Sequence, residues 1–297
     1  VGGRAPLDPR RAAGPGRPPG PAPRPPLAHR PATLSATQIE TLIRDPFAIY
    51  AREVLRLKAL DPVGRELDAR DRGNTLHKVL EALAVRAATG EPLEDALGSA
   101  LDDELAKARA GETQRRLWRA RILRAAPVLL RDEAVRQSLG SPRVEVTGSR
   151  GFANFTLTAR ADRIDLRDGA VAIYDYKTGS APSDREVRAF AKQLPLEAAI
   201  AEAGGFRDIP PARVVELAHV VLSGESAGAA RPLNGDPAAL AAEAWEGLMR
   251  LVASYADPRT GYPARARPRH ITHDGDYDHL SRYGEWEDGD PAEDAVA

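Results

Sequence analysis

Apolar residues recur every three or four positions through the first half of the chain, and alternate or run together in the second. Leu34, Ile39 and Ile43 open the first periodic stretch. Ser35 with Gln38 three residues on has the spacing of a capping box, and Leu34 is placed to staple onto Ile39, so a helix is expected over 35–43. Asp45-Pro46 stops or restarts it, since proline lacks an N–H and disfavours a helical residue before it. A second helical segment is expected to about residue 57. Leu76, Val79, Leu80 and Leu83 then repeat at helical spacing and predict a helix to about residue 88. Two further helical patterns cover about 92–109 and 113–138, the second interrupted or bent near Pro127.

The pattern changes after residue 140. Val144-Glu145-Val146, residues 152–166 and residues 171–174 are rich in β-branched and aromatic residues and alternate as strands do. A helix is expected over 184–203, a strand over 214–222 and a helix over 237–255, with Trp245 and Met249 in the core. Helices, a strand meander, a helix, a strand and a helix make an α/β chain. Its central mixed sheet is flanked by helices and preceded by a helical region.

Asp168-Gly169 between two strand patterns is a strong hairpin signal, here taken as a type I′ turn. Counting outward from that turn, Arg167 pairs with Ala170, Ile164 with Ile173, and Asp162 falls opposite Asp175. Directly opposed residues have Cβ atoms about 4.5–5.5 Å apart. Lys177, two residues past Asp175, returns to the same face. Two facing carboxylates repel unless a cation lies between them, and hard oxygen ligands suit Mg²⁺, with Mn²⁺ as a substitute. A metal-activated water beside a lysine suffices for phosphodiester hydrolysis. An Asp-x-Lys tripeptide alone is more often a solvated strand end. The opposed Asp162 is what raises it above that. On the first-half helix, His77 and Glu81 are four apart and share a face, so the imidazole is a candidate ligand and Glu81 a candidate support for it.

Composition narrows the chemistry. The 297 residues contain no cysteine, which excludes disulfides, thiolate catalysis, zinc ribbons and a cysteine-ligated iron–sulfur cluster. There are 42 Lys and Arg against 43 Asp and Glu, a net charge of -1. Any nucleic-acid contact must therefore be local. Arg70, Arg72 and Lys78, and then Arg185, Arg188 and Lys192 on one face of the 184–203 helix, are candidate DNA contacts. No Walker-type phosphate loop occurs, so no ATP site is expected. No apolar run reaches membrane-span length and no leader pattern opens the chain, so no membrane association and a cytoplasmic location are expected. Residues 1–32, rich in Pro and Arg, read as a linker, and 288–297 as an acidic disordered tail. Val1 and the single methionine, Met249, suggest a piece of a longer protein. His270, His273 and His279 with Asp274, Asp276 and Asp278 have a metal-like composition, but read better as a surface-docked tail.

Four motifs occur in one order: Arg72-Gly73-Asn74-Thr75-Leu76-His77 with Glu81; Ala161-Asp162-Arg163-Ile164-Asp165; Asp175-Tyr176-Lys177-Thr178-Gly179; and Gln193-Leu194-Pro195-Leu196. This series resembles the RecB-like nucleases of the PD-(D/E)xK type over residues 33–287. Residues 34–50 and Gly275-Asp276-Tyr277-Asp278-His279-Leu280 look closest to the C-terminal nuclease domains of the alphaproteobacterial AddB subunit family. The resemblance implies a restriction-endonuclease-like core, with His77, Asp162, Asp175 and the Tyr176 carbonyl as metal ligands and Lys177 as the catalytic lysine. It places Gln193 near the site. It also implies a Mg²⁺-dependent DNA exonuclease working beside an AddA-like helicase–nuclease subunit on double-strand ends. Glu197 stands where that family's fourth motif has tyrosine. The alternatives are a catalytically silent DNA-binding or subunit-docking module and a stand-alone RecB-like exonuclease.

Overall fold

The computed structural model describes residues 20–58, 69–223, 227–267, 271 and 275–286, except the side chains of residues 69 and 70. The described residues fall into two compact units, those within 1–30, 41–59 and 255–297 forming one and those within 31–40 and 60–254 the other.

The larger unit is built on a six-stranded sheet. Its strands are β1 (Thr33–Ser35), β2 (Ser141–Phe152), β3 (Phe155–Arg167), β4 (Ala170–Lys177), β5 (Arg213–Val221) and β6 (Ala230–Pro232). β3 pairs antiparallel with β2 along its length. Its other edge carries β1, parallel at Thr156 to Thr158, and β4, antiparallel at Arg163 to Arg167. β5 runs parallel to β4 and antiparallel to β6. The sheet is therefore mixed, as the sequence predicts. β1 and β6 were not foreseen, because three residues carry too little alternation to read. β2 extends well beyond the expected 144–146; its Thr, Gly, Ser and Arg positions pair on backbone hydrogen bonds rather than on an apolar pattern.

The hairpin register is the expected one, with Arg167 opposite Ala170 and Ile164 opposite Ile173. The turn is not type I′, however. Gly169 has φ 65°, whereas Asp168 is absent from the positive-φ residues, and type I′ needs both central residues there.

Among the described residues the α-helices are α1 (Ala36–Arg44), α2 (Pro46–Ile49), α3 (Ala69–Ala88), α4 (Leu93–Lys107), α5 (Glu112–Leu139), α6 (Asp184–Ala189), α7 (Gln193–Glu202) and α8 (Pro237–Tyr255), with a 3₁₀ turn at Leu27–His29 and a π turn at Tyr50–Val54. The Ser35 capping box forms: Gln38 N donates to Ser35 Oγ at 3.1 Å, and Ser35 N to Gln38 Oε1 at 2.7 Å. α5 runs unbroken through Pro127. The expected 184–203 helix is two helices, because Phe190 leaves helical geometry at φ -157° and Lys192 caps α7. Leu76, Val79, Leu80 and Leu83 of α3 pack with α4 and α5 against Ala172, Tyr174, Tyr176, Ala218 and Val220 of the sheet. Each fully buried leucine there contributes roughly 1.5–3 kcal/mol. On α8, Ala241, Ala244, Trp245 and Leu248 are buried and Met249 is exposed. Met249 lies one step round the helix from the 241–244–245–248 stripe, so only Trp245 joins the core.

The smaller unit has its own apolar cluster of Phe47, Ala51 and Tyr277. Residues 20–30, expected as linker, are tied in. Tyr262 N donates to Pro23 O and Ala264 N to Pro21 O, and the Arg30 guanidinium reaches the carbonyls of Tyr255, Asp257 and Pro258. Asp278 pairs with Arg265 and Tyr277 Oη donates to Leu57 O, in keeping with a docked segment. His270, His273, Asp274 and the 288–297 tail lie outside the described residues.

Candidate active site

The site forms where β3 and β4 part. Their ladder ends at Arg163 opposite Tyr174, one step short of Asp162 and Asp175. Beyond it the Tyr176 N–H donates to Asp162 Oδ2 at 2.9 Å instead of to a β3 carbonyl. Asp162 thus holds the mouth of the split with its carboxylate. Strand alternation sends Asp175 and Lys177 to one face, and Lys177 Nζ lies 3.0 Å and 2.8 Å from the two Asp175 oxygens. From β5, His219, the register partner of Asp175, places Nδ1 3.0 Å from Asp175 Oδ2. On α3, His77 Nδ1 is 3.5 Å from Asp162 Oδ2, and its ring meets Tyr176 edge-on at 5.9 Å. Gly73 on α3 lies beside Thr178, whose Oγ1 would be 3.4 Å from an added Cβ. That approach sets the first motif beside the third.

The electrostatics are uneven. Burial pushes the Asp162 carboxyl up to about 7, and the Asp175 charge adds to the rise. Burial would also raise Asp175, but Lys177 and His219 overcome it and hold that carboxyl below the usual range. Lys177 is desolvated, yet the charge of Asp175 holds its ammonium above the ordinary lysine value. Burial lowers His77, so its imidazole is neutral at pH 7 and a competent ligand.

A second carboxylate flanks Asp162 on its other side. The β2–β3 register passes from Val144–Arg163 to Val146–Ala161, leaving Glu145 opposite Asp162 with a left-handed φ of 53°. Such a conformation is costly for a residue with a side chain and clusters at functional sites. Glu145 takes Arg160 at 2.9 Å and Lys78 at 3.7 Å. Glu81 turns to this group, accepting from Lys78 Nζ at 2.7 Å, rather than to His77 as the helical spacing suggested. A cleft of about 450 Å³ between α3, the end of α4 and the β2–β3 pair is lined by these groups and reaches His77 and Asp162.

Other expected residues are placed less uniformly. Gln193, at the start of α7, donates its amide to Glu197 Oε1 at 3.1 Å, and its backbone N–H to Glu40 Oε1 at 2.9 Å. Arg72 sits on α3 with its Nε buried and without a partner; the Arg70 side chain is outside the described residues. Arg185 and Arg188 are exposed on α6. Lys192 does not share their helix, so the common face expected for the three does not exist. Sequence reasoning missed Glu145 and His219. The signals available were weak: one acid between two valines, and one histidine in the otherwise apolar 217–222 run.

Among the described residues, no three His, Asp or Glu side chains already stand about a point as a cation cage. The donor set nevertheless suits a hard divalent ion. It offers a neutral imidazole, two carboxylates, one of them raised by burial and then by its neighbour's charge, and the Tyr176 backbone between them.

The sequence pattern of the PD-(D/E)XK nuclease superfamily matches residues 33–269. The chain belongs to that superfamily. Uncharacterized proteins of Rickettsia bellii and Rickettsia conorii are 29% and 26% identical over 185 and 193 residues, each match covering 59% of this chain. The matches cover 22% and 23% of those proteins, so the nuclease spans about a fifth of the length of the curated relatives it matches. A crystal structure of a candidate exonuclease from Eubacterium rectale aligns over 82% of this chain and 90% of its own, at 11% identity and a TM-score of 0.46. The family assignment rests on the sequence match alone. No helix among the described residues is long and apolar enough to cross a membrane.

Proposed function

We propose that this nuclease domain is a Mg²⁺-dependent DNA exonuclease that serves a helicase–nuclease complex in processing double-strand ends. The observation that carries the reading is the split between β3 and β4, which gathers Asp162, Asp175, Lys177 and His77 around one opening. Asp162, Asp175 and His77, with the Tyr176 carbonyl, would hold the Mg²⁺. A bound divalent ion supplies a water acidic enough to act as nucleophile at neutral pH and offsets charge on the phosphate.

The chain's own groups divide the remaining work. Lys177, kept protonated by Asp175, is suited to stabilise the charge that develops on the phosphoryl oxygens and less suited to remove a proton. His219 and Lys177 together hold Asp175 ionised and fix its two oxygens. The Tyr176 N–H fixes Asp162. Exposed Arg185 and Arg188 can meet the backbone of a strand without reading sequence.

An ATP-driven, AddA-like partner subunit is part of the proposal. It is supported by the order of the four motifs. The direct test is Mg²⁺-dependent degradation of linear DNA by the wild type and by Asp175→Ala. Cleavage should disappear in the variant while DNA binding is largely kept. Equal activity in both would overturn the assignment. DNA binding without cleavage in the wild type would point instead to a silent module.

A further inference from the structure

Glu197 is a buried acid that the mechanism above does not use; the other buried acids outside it, Glu81, Glu133 and Asp165, each meet a lysine or an arginine. It lies on α7 with 1% of its surface exposed. Gln193 occupies its Oε1 at 3.1 Å, while Oε2 is buried with no hydrogen-bond partner. Burial, and then the charges of Asp175 and Asp162, hold its carboxyl well above the usual range against the opposing pull of Gln193 and Lys177. Lys177 is already engaged, since its Nζ sits on both oxygens of Asp175.

Leaving one carboxylate oxygen dry and unpaired is expensive, of order 1–3 kcal/mol for a neutral group and more for a charged one. α7 does not place it there by slack. Its first turn is pinned by the Gln193 N–H on Glu40 Oε1, and its flank of Leu194, Leu196, Ala198, Ala199, Ile200 and Ala201 is buried. Three carboxylates then face one ammonium, with the His219 imidazole on Asp175. At most two negative charges are uncompensated, the charge of one divalent cation.

We propose that Glu197 is a third acidic contact of the cation held by Asp162 and Asp175, reached through its free Oε2. The proposal rests on the reading of Asp162 and Asp175 as cation ligands. It gives the glutamate a task that a tyrosine at this position would perform differently, since a phenol brings no formal charge to the centre.

The test is calorimetric titration of the whole chain, without DNA, with Mg²⁺ and Mn²⁺. Wild type, Glu197→Gln, Glu197→Met and Asp162→Asn are compared, with thermal unfolding followed in EDTA and in Mg²⁺. Glu197→Gln and Glu197→Met should bind the ion about 10- to 100-fold more weakly. Both should unfold in EDTA at temperatures at least as high as the wild type, and gain less on adding Mg²⁺. Glu197→Met fills the space without a polar atom and so guards against a folding defect in the glutamine variant. If Asp162→Asn weakens binding and neither Glu197 variant does, the glutamate is a core residue and this inference falls. If all three bind the ion as the wild type does, the cation reading of the whole site falls with it.

Discussion

Asp162 and Arg163 are neighbours in β3, and strand alternation sends them to opposite faces, into two buried charge clusters built by opposite rules. On the Arg163 side the guanidinium is 1% exposed. It donates to Asp165 Oδ1 at 2.6 Å and to Glu133 Oε2 at 2.5 Å, and Arg136 completes the group on Glu133 at 3.0 Å. Two cations meet two acids. Burial would raise Glu133, but Arg163 holds its carboxyl below the usual range. On the Asp162 side, acids outnumber cations, one acid is held near neutrality, and a carboxylate oxygen on Glu197 is left alone. The contrast shows how to tell scaffold from site when both are buried and charged. A scaffold network closes its own account. A site is left short of positive charge, by an amount its ligand can supply.

The sharpest way to break this contrast is to neutralise one member of each cluster. Asp162→Asn keeps an acceptor for the Tyr176 N–H and removes charge from the deficient side. Mg²⁺-dependent cleavage should fall on the order of 10²–10³-fold or more, while urea unfolding in EDTA shows no loss of stability. A clear loss of stability in EDTA would mean that the acid is structural.

Arg163→Met should do the reverse. It leaves Glu133 and Asp165 buried and poorly compensated, and should cost about 3–5 kcal/mol in urea denaturation. A change below 1 kcal/mol would show that this network is not the closed scaffold described above.

Glu81 provides a smaller, pH-dependent test at the edge of the deficient side. Burial and its neighbour Glu145 outweigh Lys78 and raise its carboxyl to about 7. The folded protein thus holds that proton more tightly than the unfolded chain, whose glutamate titrates near 4.5. Stability from this group is present at low pH and is lost as pH rises from about 4.5 to about 7. Urea midpoints measured from pH 5 to pH 8 should decline for the wild type and decline less for Glu81→Gln. Identical slopes would remove Glu81 from the strained group.

The smallest effect is expected at the surface. Arg185→Ala and Arg188→Ala should each weaken DNA binding uniformly across sequences, and reduce the slope of log affinity against log salt by about 1. An unchanged slope would place the strand elsewhere, leaving the cleft beside Lys78 and Arg160 as the next surface to probe.

Much of the fold was legible because its signals are local. The capping box at Ser35, the i, i+3, i+4 stripe of α3 and the Asp-Gly hairpin each depend on a few neighbouring residues, and each formed where expected. The turn type was misread without harm, since loop length alone fixes the register. The break at Phe190 was not legible, because residues 184–203 keep a helical pattern across it. With that break went the expected alignment of Lys192 with Arg185 and Arg188.

The sequence by itself determined the β3–β4 register from Arg167–Ala170 out to Arg163–Tyr174, which puts Asp162 and Asp175 at the next step, and a period of two returns Lys177 to the face of Asp175. Only the tertiary structure decided that β3 and β4 would part at that level, because the separation is enforced by β1 on the same edge of β3 and by the Asp162 carboxylate on the Tyr176 N–H. Tertiary structure likewise brought in Glu145, His219 and Glu197. Glu145 and His219 carry no motif and Glu197 departs from one, so strand pairing and helix packing alone set them beside the two aspartates.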